Sequence, residues 1–440
     1  MNSTKFFLKS ALLTLFILHI AACGSSSGGG SSYSGSAPNA GGSNSSGGTC
    51  TATSFAESSY PSTGVFTSNV VSVTVNGSTC GGNSSQYPNE PCVQVTICSP
   101  SDPNNCQTIN NILLDTGSYG LRIFSSVINV PLTPITSNGN NLAECVQYGD
   151  GSSQWGQVQY AYVQLAGEPK VALPIMTVNP NYATPPSACS TAQSTPDVSP
   201  SQTGFNGILG VGLFKEDCGN NCANQFSNGQ YFSCNGSNCS CGAKVSLAAQ
   251  VQNPVASIPT DNNGVIVSLP SVPAAGAASI SGSMYLGIGT RANNAAGAVT
   301  TYAANVNGEF STQFTNSSNS FIPSFIDSGS SILFIPPPSG LADCSSHGAG
   351  WGALFCPNAT TAYSATNKSA TGAPTGVVNF SIANGYSLFT SNNMVFGNVA
   401  GTNSGAGYFD WGIPFFYGRN VYVGISGMPS SVGTGPYWAY

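Results

Sequence analysis

The chain has 440 residues, of which 40% are hydrophobic and only 5% are charged, and its formal net charge is −6. Its 9 Lys and Arg residues form no basic patch that could neutralise phosphates, so nucleic-acid binding is excluded. Of the two histidines, His19 falls in the amino-terminal apolar segment, which leaves His347. The chain therefore has almost no histidine for Ser-His-Asp catalysis or for a histidine-rich metal site.

Residues 1–22 predict a secretory signal peptide. Two lysines precede an apolar run, Ala11–Leu18, that is too short to span a membrane comfortably. The segment Ile20–Cys23 resembles the lipobox of bacterial lipoproteins, which implies that Cys23 is lipidated and anchors the exported chain. By the same resemblance, Gly24 favours the outer membrane of a Gram-negative bacterium, facing either the periplasm or the outside. An ordinary cleaved signal with an incidental cysteine is the alternative.

The next stretch, residues 23–49, consists almost entirely of Gly, Ser and Asn and predicts a flexible tether. From about residue 50 the chain consists of short β-branched or alternating segments, such as Val70–Val75, bounded by Gly, Pro, Asn or Ser. Long helical periodicity is scarce, so we expect an all-β fold. A stretch rich in Pro and Ala, Leu269–Ala278, is the predicted boundary between two halves, residues 50–268 and 269–440.

Fourteen of the 15 cysteines remain when Cys23 is set aside, an even number in an exported chain, which predicts disulfides. Cys344 and Cys356 are expected to close a local loop, and the remaining connectivity is left open. Zinc is the alternative for a cluster of five cysteines, but their spacing fits no common zinc finger and no histidine lies nearby. The five are Cys218, Cys222, Cys234, Cys239 and Cys241.

One pattern occurs twice, in Ile112–Ser118 and in Phe325–Ser331: apolar residues, then Asp, Thr or Ser, Gly and Ser. An apolar strand would deliver each aspartate, Asp115 and Asp327, into a buried loop, where Gly allows close approach of the backbone. If the two loops face each other, the carboxyls cannot both ionise cheaply and share one proton. One can then act as general base on a water while the other polarises a peptide carbonyl.

These motifs resemble those of pepsin-like aspartic proteases. Three further stretches are similar to segments of that family and occur in its order: Tyr148–Ser153 to the flap hairpin, Asn206–Gly212 to the segment behind the first catalytic loop, and Trp411–Phe416 to the corresponding carboxyl-terminal segment. The resemblance covers about residues 90–425 and implies an all-β, bilobal fold with a cleft between lobes 50–268 and 269–440. The chain also resembles a family of uncharacterised bacterial lipoproteins of unknown function.

The resemblance implies roles for individual residues. Asp115 and Asp327 form the catalytic dyad, and Tyr148 with Gly149 forms the flap that closes over a peptide or protein substrate. No cofactor and no metal is expected, and the oligomeric state is left open. The residues expected to support the dyad are Thr116, Gly117, Ser118, Ser328, Gly329 and Ser330.

The sequence also departs from the family. Arg122 stands where the family often has a tryptophan that supports the flap tyrosine, Tyr119-Gly120 replaces a small polar pair, and no Lys-rich propeptide is present. A pepsin-like surface lipoprotein without activity, which binds a peptide, protein or glycan in the cleft, is therefore the alternative function. A purely structural envelope component and a two-carboxylate glycosidase are weaker alternatives. We expect Glu216-Asp217 to belong to a solvated loop.

Overall fold

The computed structural model describes residues 53–56, 61–77, 87–186, 189, 195–315, 320–402 and 407–440. The predicted signal peptide, the lipidated Cys23 and the Gly/Ser-rich tether lie outside these residues. The described chain is mostly strand and contains no long helix, which confirms the all-β prediction.

The first half of the described chain contains fifteen strands. They are β1 (Thr53–Phe55), β2 (Val70–Val75), β3 (Pro91–Ser99), β4 (Asp102–Asp115), β5 (Tyr119–Phe124), β6 (Thr133–Pro134), β7 (Thr136–Ser137), β8 (Asn140–Gln147), β9 (Ser152–Gln164), β10 (Val171–Val178), β11 (Thr195–Pro196), β12 (Gly207–Val211), β13 (Tyr231–Asn235), β14 (Asn238–Val245) and β15 (Gly264–Leu269).

Thirteen more strands follow. They are β16 (Ile280–Leu286), β17 (Thr301–Ala303), β18 (Phe310–Phe314), β19 (Ile322–Asp327), β20 (Leu333–Ile335), β21 (Thr361–Lys368), β22 (Thr375–Ile382), β23 (Ala400–Thr402), β24 (Phe409–Gly412), β25 (Arg419–Gly424), β26 (Pro429–Ser430), β27 (Gly433–Thr434) and β28 (Tyr437–Ala439).

The helices in the described residues are all short. Three are α-helical, α1 (Pro200–Thr203), α2 (Asn220–Asn224) and α3 (Gly385–Phe389). The 3₁₀ turns are Ser125–Val127, Leu247–Ala249, Pro254–Ser257, Ala292–Asn294, Ser345–His347, Ala349–Trp351 and Ile413–Phe416.

The strands form two large sheets. In the first, β3, β4, β5, β8, β9, β10 and β12 pair with one another, and β2 connects them to the series β2–β16–β15–β25–β28–β17. The second sheet has seven strands in the order β22-β21-β18-β19-β24-β20-β23. Alternating burial along β2, with Val71, Val73 and Val75 buried, shows how a β-branched strand covers a core on one face.

The two aspartate strands have matching surroundings in the two sheets. β4 ends at Asp115 beside the parallel strand β12, with Gly210 opposite the aspartate, and β12 also pairs antiparallel with β5. β19 ends at Asp327 beside the parallel strand β24, with Gly412 opposite, and β24 pairs antiparallel with β20. Both glycines are needed, because a Cβ on Gly210 would lie 2.7 Å from the Tyr119 backbone and one on Gly412 would lie 2.0 Å from Ile332 O.

The predicted boundary segment connects two neighbouring strands. β15 ends at Leu269 and β16 begins at Ile280, and β15 pairs with β25 from the carboxyl-terminal part of the chain. Residues on both sides of the predicted boundary therefore share a sheet. The division into residues 50–268 and 269–440 remains a prediction.

Disulfides account for the described cysteines, which confirms the prediction over the zinc alternative. The pairs are Cys98–Cys106, Cys145–Cys189, Cys218–Cys222, Cys234–Cys239 and Cys344–Cys356. Cys92 and Cys241 are disulfide-bonded as well. The expected local loop between Cys344 and Cys356 is therefore present. The five-cysteine cluster consists of two short-range disulfides plus Cys241.

Candidate active site

The two aspartate loops are in contact. A Cβ on Gly117 would lie 2.5 Å from Cγ of Asp327, and a Cβ on Gly329 would lie 2.8 Å from Oδ1 of Asp115. Each glycine therefore packs against the carboxyl of the opposite loop. The same Cβ on Gly329 would lie 3.1 Å from Asp327 Oδ1, so the two carboxyls are neighbours. The structure thus brings together the two residues that the sequence singled out as a dyad.

Each carboxyl is held by the same two kinds of donor from its own loop. Asp115 accepts hydrogen bonds from the Gly117 N–H (2.8 Å) and the Ser118 hydroxyl (2.5 Å). Asp327 accepts them from the Gly329 N–H (2.7 Å) and from the hydroxyl of Ser330 at 2.9 Å. The repeated sequence pattern therefore gives two carboxyls with fixed orientations.

The residues after the aspartates link the two loops. The Ser328 N–H donates to Thr116 Oγ1 at 2.9 Å, and the Thr116 N–H donates to Ser328 Oγ at 3.1 Å. The two hydroxyls in turn donate to carbonyls of the opposite strand, Thr116 to Ile326 O at 2.8 Å and Ser328 to Leu114 O at 2.7 Å. Four hydrogen bonds, all buried, thus lock the base of the site.

The electrostatics of the pair favour one shared proton. Burial raises the pKa of Asp327 well above its usual value, and the neighbouring charge of Asp115 raises it further. The Gly329 N–H lowers this pKa but does not outweigh the other causes. Two carboxyls in contact cannot both ionise without a large cost, so one of them retains a proton.

Tyr148 lies in a hairpin turn between β8 and β9. The Gly151 N–H donates to Tyr148 O at 3.0 Å, the Tyr148 N–H donates to Ser152 O at 2.9 Å, and the Tyr148 hydroxyl donates to Gln154 Oε1 at 3.0 Å. Burial is the main cause that raises the pKa of Tyr148, and the nearby charge of Asp115 contributes. The predicted flap tyrosine thus lies in a hairpin turn, and Gly149 in the same turn is exposed.

Arg122 is buried and contacts neither aspartate of the dyad in any hydrogen bond or ion pair of the described residues. It donates to Glu144 Oε1 and Asp217 Oδ2, both at 2.7 Å, and to the Tyr119 carbonyl, also at 2.7 Å. The Asp217 side chain is only 3% exposed and also accepts from the Tyr231 hydroxyl at 2.6 Å. The expectation that Asp217 lies in a solvated loop was therefore wrong, because the backbone turns its carboxyl inward to meet Arg122.

Four residues near the dyad were not recognised from the sequence. The Tyr87 hydroxyl donates to Gly329 O at 2.8 Å, and the ring of Tyr119 packs edge-on against Phe214 with centroids 5.2 Å apart. Burial is the main cause that raises the pKa of Tyr408 to about 12, and its ring packs against that of Phe325 with centroids 5.5 Å apart. The fourth residue, Asp410, is buried beside Ser330. Two of the four had a sequence signal: Tyr119 directly follows the first aspartate motif, and Asp410 is a carboxyl between Phe and Trp in a buried strand.

The fold and the site define an all-β, disulfide-bonded protein with two aspartate loops in contact. A model of a family described as a protein of unknown function (DUF3443) matches residues 65–440, and the chain belongs to this family. A search of curated proteins found no match. In the part of the chain that the structure describes, no helix is long and apolar enough to cross a membrane.

Proposed function

We propose that this chain is an aspartic endopeptidase with a bilobal, pepsin-like architecture. The observation that carries the proposal is the pair of equivalent loops that place the carboxyls of Asp115 and Asp327 next to each other, with the pKa of Asp327 raised by burial and by the charge of Asp115. The matching strand surroundings of β4 and β19 support two related lobes with the dyad between them. In this proposal Tyr148, in the hairpin turn between β8 and β9, closes over the substrate.

The proposed reaction needs no covalent intermediate. Ionised Asp115 takes a proton from a water whose oxygen attacks the peptide carbonyl carbon, while protonated Asp327 donates its proton to the carbonyl oxygen. The resulting tetrahedral diol collapses when the proton on Asp115 passes to the amide nitrogen and the C–N bond breaks. One diol hydroxyl returns its proton to Asp327, so the dyad ends with the same single proton. Ser118 and Ser330 keep both carboxyls aligned throughout.

The site of action in this proposal is the outer membrane of a Gram-negative bacterium. Cys23, as a lipidated first residue, attaches the chain, and residues 24–49 give the folded part reach from the bilayer. A mass measurement of the mature chain extracted from membranes tests this part separately. We expect a mass that corresponds to a chain beginning at an acylated Cys23, and an unmodified amino terminus would contradict the anchor.

The activity is tested with the purified chain and a mixture of peptides of diverse sequence at acid pH, analysed by mass spectrometry. Pepstatin is the informative inhibitor, because it mimics the tetrahedral intermediate and requires an intact dyad. We expect internal cleavages that pepstatin suppresses. A folded protein that neither cleaves any peptide between about pH 3 and pH 8 nor binds pepstatin would overturn the proposal. Binding without cleavage would favour the alternative, a ligand-binding protein.

A further inference from the structure

A third carboxyl, that of Asp410, lies next to the dyad. Asp410 is opposite Phe325 in the parallel pairing of β24 with β19, two residues before the end of the strand that delivers Asp327. It is 4% exposed. The hydroxyl oxygen of Ser330 lies 2.6 Å from Asp410 Oδ2 and 2.9 Å from Asp327 Oδ2, so this serine connects the two carboxyls.

The number of hydrogens available between Asp410, Ser330 and Asp327 determines which of these contacts can be hydrogen bonds. A serine hydroxyl carries one hydrogen and can donate to only one of the two carboxyl oxygens, although its oxygen can also accept. Both contacts can be hydrogen bonds only if one carboxyl carries a proton and donates it to Ser330 Oγ. The contact to Asp410, at 2.6 Å, is the shorter of the two, and its length fits donation in either direction.

The other oxygen of Asp410 indicates which carboxyl holds that proton. Asp410 Oδ1 is buried and has no hydrogen-bond partner among the described residues. An ionised carboxylate with such an oxygen would bear the full cost of desolvation, whereas a neutral acid bears much less. Burial raises the pKa of Asp410 well above its usual value, with Ser330 acting in the opposite direction and the charge of Asp115 raising the pKa further.

We propose that Asp410 is a buried, protonated carboxylic acid that positions Asp327 through Ser330, by donating to Ser330 Oγ so that the serine hydrogen points at Asp327. Its role in catalysis rests on the proposed peptidase function, while its protonation and its hydrogen bond do not. Asp410 reaches the dyad through Ser330 and is therefore a positioning residue. Because Asp410 is neutral, it adds no negative charge to the dyad.

Infrared difference spectroscopy of the folded chain at neutral pH tests the protonation without any activity assay. We expect the wild type to show one carboxylic-acid C=O band that Asp410→Asn lacks. The carboxylate bands of the two proteins should be the same. In Ser330→Ala the same C=O band should shift, because Asp410 loses its acceptor. Loss of a carboxylate band instead would overturn the proposal. If Asp410→Asn does not fold, the comparison of wild type with Ser330→Ala decides, since an unshifted C=O region would equally contradict it.

The pH profile of cleavage tests the positioning role. Asparagine is neutral and can donate an N–H to Ser330, so Asp410→Asn should leave the alkaline limb of the profile at the wild-type pH, whatever the change in rate. Asp410→Leu removes the donor and should move that limb to higher pH, because Asp327 then loses a polarised hydroxyl that stabilises its ionised form. A shift to lower pH in Asp410→Asn would show that Asp410 is ionised and overturn the proposal. Absence of cleavage in the wild type would contradict the peptidase function alone.

Discussion

Thr116 and Ser328 each donate to and accept from the opposite aspartate loop. Thr116 Oγ1 accepts from the Ser328 N–H and donates to Ile326 O, while Ser328 Oγ accepts from the Thr116 N–H and donates to Leu114 O. Each hydroxyl therefore spans from one strand end to the other. This reciprocal link holds the two carboxyls in contact although neither hydroxyl touches them.

Removal of either hydroxyl should destabilise the fold. Thr116→Val keeps the shape of the side chain but leaves the Ser328 N–H and the Ile326 carbonyl without their partner, so we expect a loss of about 1–3 kcal/mol in the free energy of unfolding. Ser328→Ala should cost a similar amount, and the double variant less than the sum, because the two residues share one network. Denaturant unfolding measures these values.

Thr375→Val, at an exposed strand position, is the matched control for the change from Thr to Val. It should change the free energy of unfolding by no more than about 0.5 kcal/mol. Equal effects of Thr116→Val and Thr375→Val would mean that the link between the loops does not contribute to stability.

Ser118 should matter for catalysis as well as for stability. Its hydroxyl donates to Asp115 Oδ2 at 2.5 Å and orients this carboxyl. Ser118→Ala should therefore lower kcat/KM for a cleaved peptide by roughly 10- to 100-fold and the free energy of unfolding by about 1–3 kcal/mol. Ser279→Ala, on an exposed position between β15 and β16, is the control. Unchanged kcat/KM in Ser118→Ala would show that Asp115 needs no such orientation.

Arg122 should be among the most sensitive positions for stability. Its side chain is 1% exposed, and removing it leaves the buried carboxyls of Glu144 and Asp217 without their cation. We expect Arg122→Leu to lower the free energy of unfolding by about 3–5 kcal/mol, and Arg122→Lys to lower it less, because lysine keeps the charge but not the planar fork. Lys215→Leu on the exposed neighbouring loop is the control. A loss below about 1 kcal/mol in Arg122→Leu would contradict a buried ion pair.

Stability should fall between mildly acidic and mildly alkaline pH. Burial of Glu168, together with the nearby Asp261 carboxyl, raises the pKa of Glu168 to about 8, whereas an unfolded glutamate titrates at about 4.3. The folded state therefore binds more protons than the unfolded state in this window, and stability decreases as pH rises through it. Denaturant unfolding at a series of pH values should show a slope that Glu168→Gln reduces. An identical slope in Glu168→Gln would contradict this assignment.

In the same pH series, protonation of Glu144 should lower the free energy of unfolding at acid pH. Burial alone would raise its pKa, but the attraction of Arg122 and hydrogen bonds from Asp217, Arg122 and Gln230 leave it below the usual value. A group with a lowered pKa in the folded state contributes stability that is present above its unfolded pKa and is lost as pH falls through the folded value. Protonation of Glu144 should therefore destabilise the fold below about pH 4.

The sequence predicted the local parts of the site better than the long-range ones. Asp115 and Asp327 could be recognised because each lies in a short motif, and Cys344–Cys356 because the two cysteines are close along the chain. The pairing of Arg122 with Asp217 depends on how two distant segments pack, and no local pattern encodes it. Asp217 was misassigned for that reason, since Lys215-Glu216-Asp217 has the composition of a surface loop.

Asp410 shows a signal that was present but not used. It stands between Phe409 and Trp411 in a strand whose four residues are all buried, and an aspartate in such a strand must find a partner or hold a proton. The identity of that partner, Ser330, follows only from the pairing of β24 with β19. Contacts of this kind become predictable once the register between strands is known.

The most direct test of the dyad compares cleavage of one peptide by the wild type, Asp115→Asn, Asp327→Asn and the exposed control Asp102→Asn, all shown to be folded by their unfolding transitions. The account predicts that both dyad variants lose at least about 1,000-fold in kcat/KM, because each removes a proton donor or acceptor that the reaction requires, and that Asp102→Asn retains the wild-type value. Cleavage at the wild-type rate by either dyad variant would contradict the central claim.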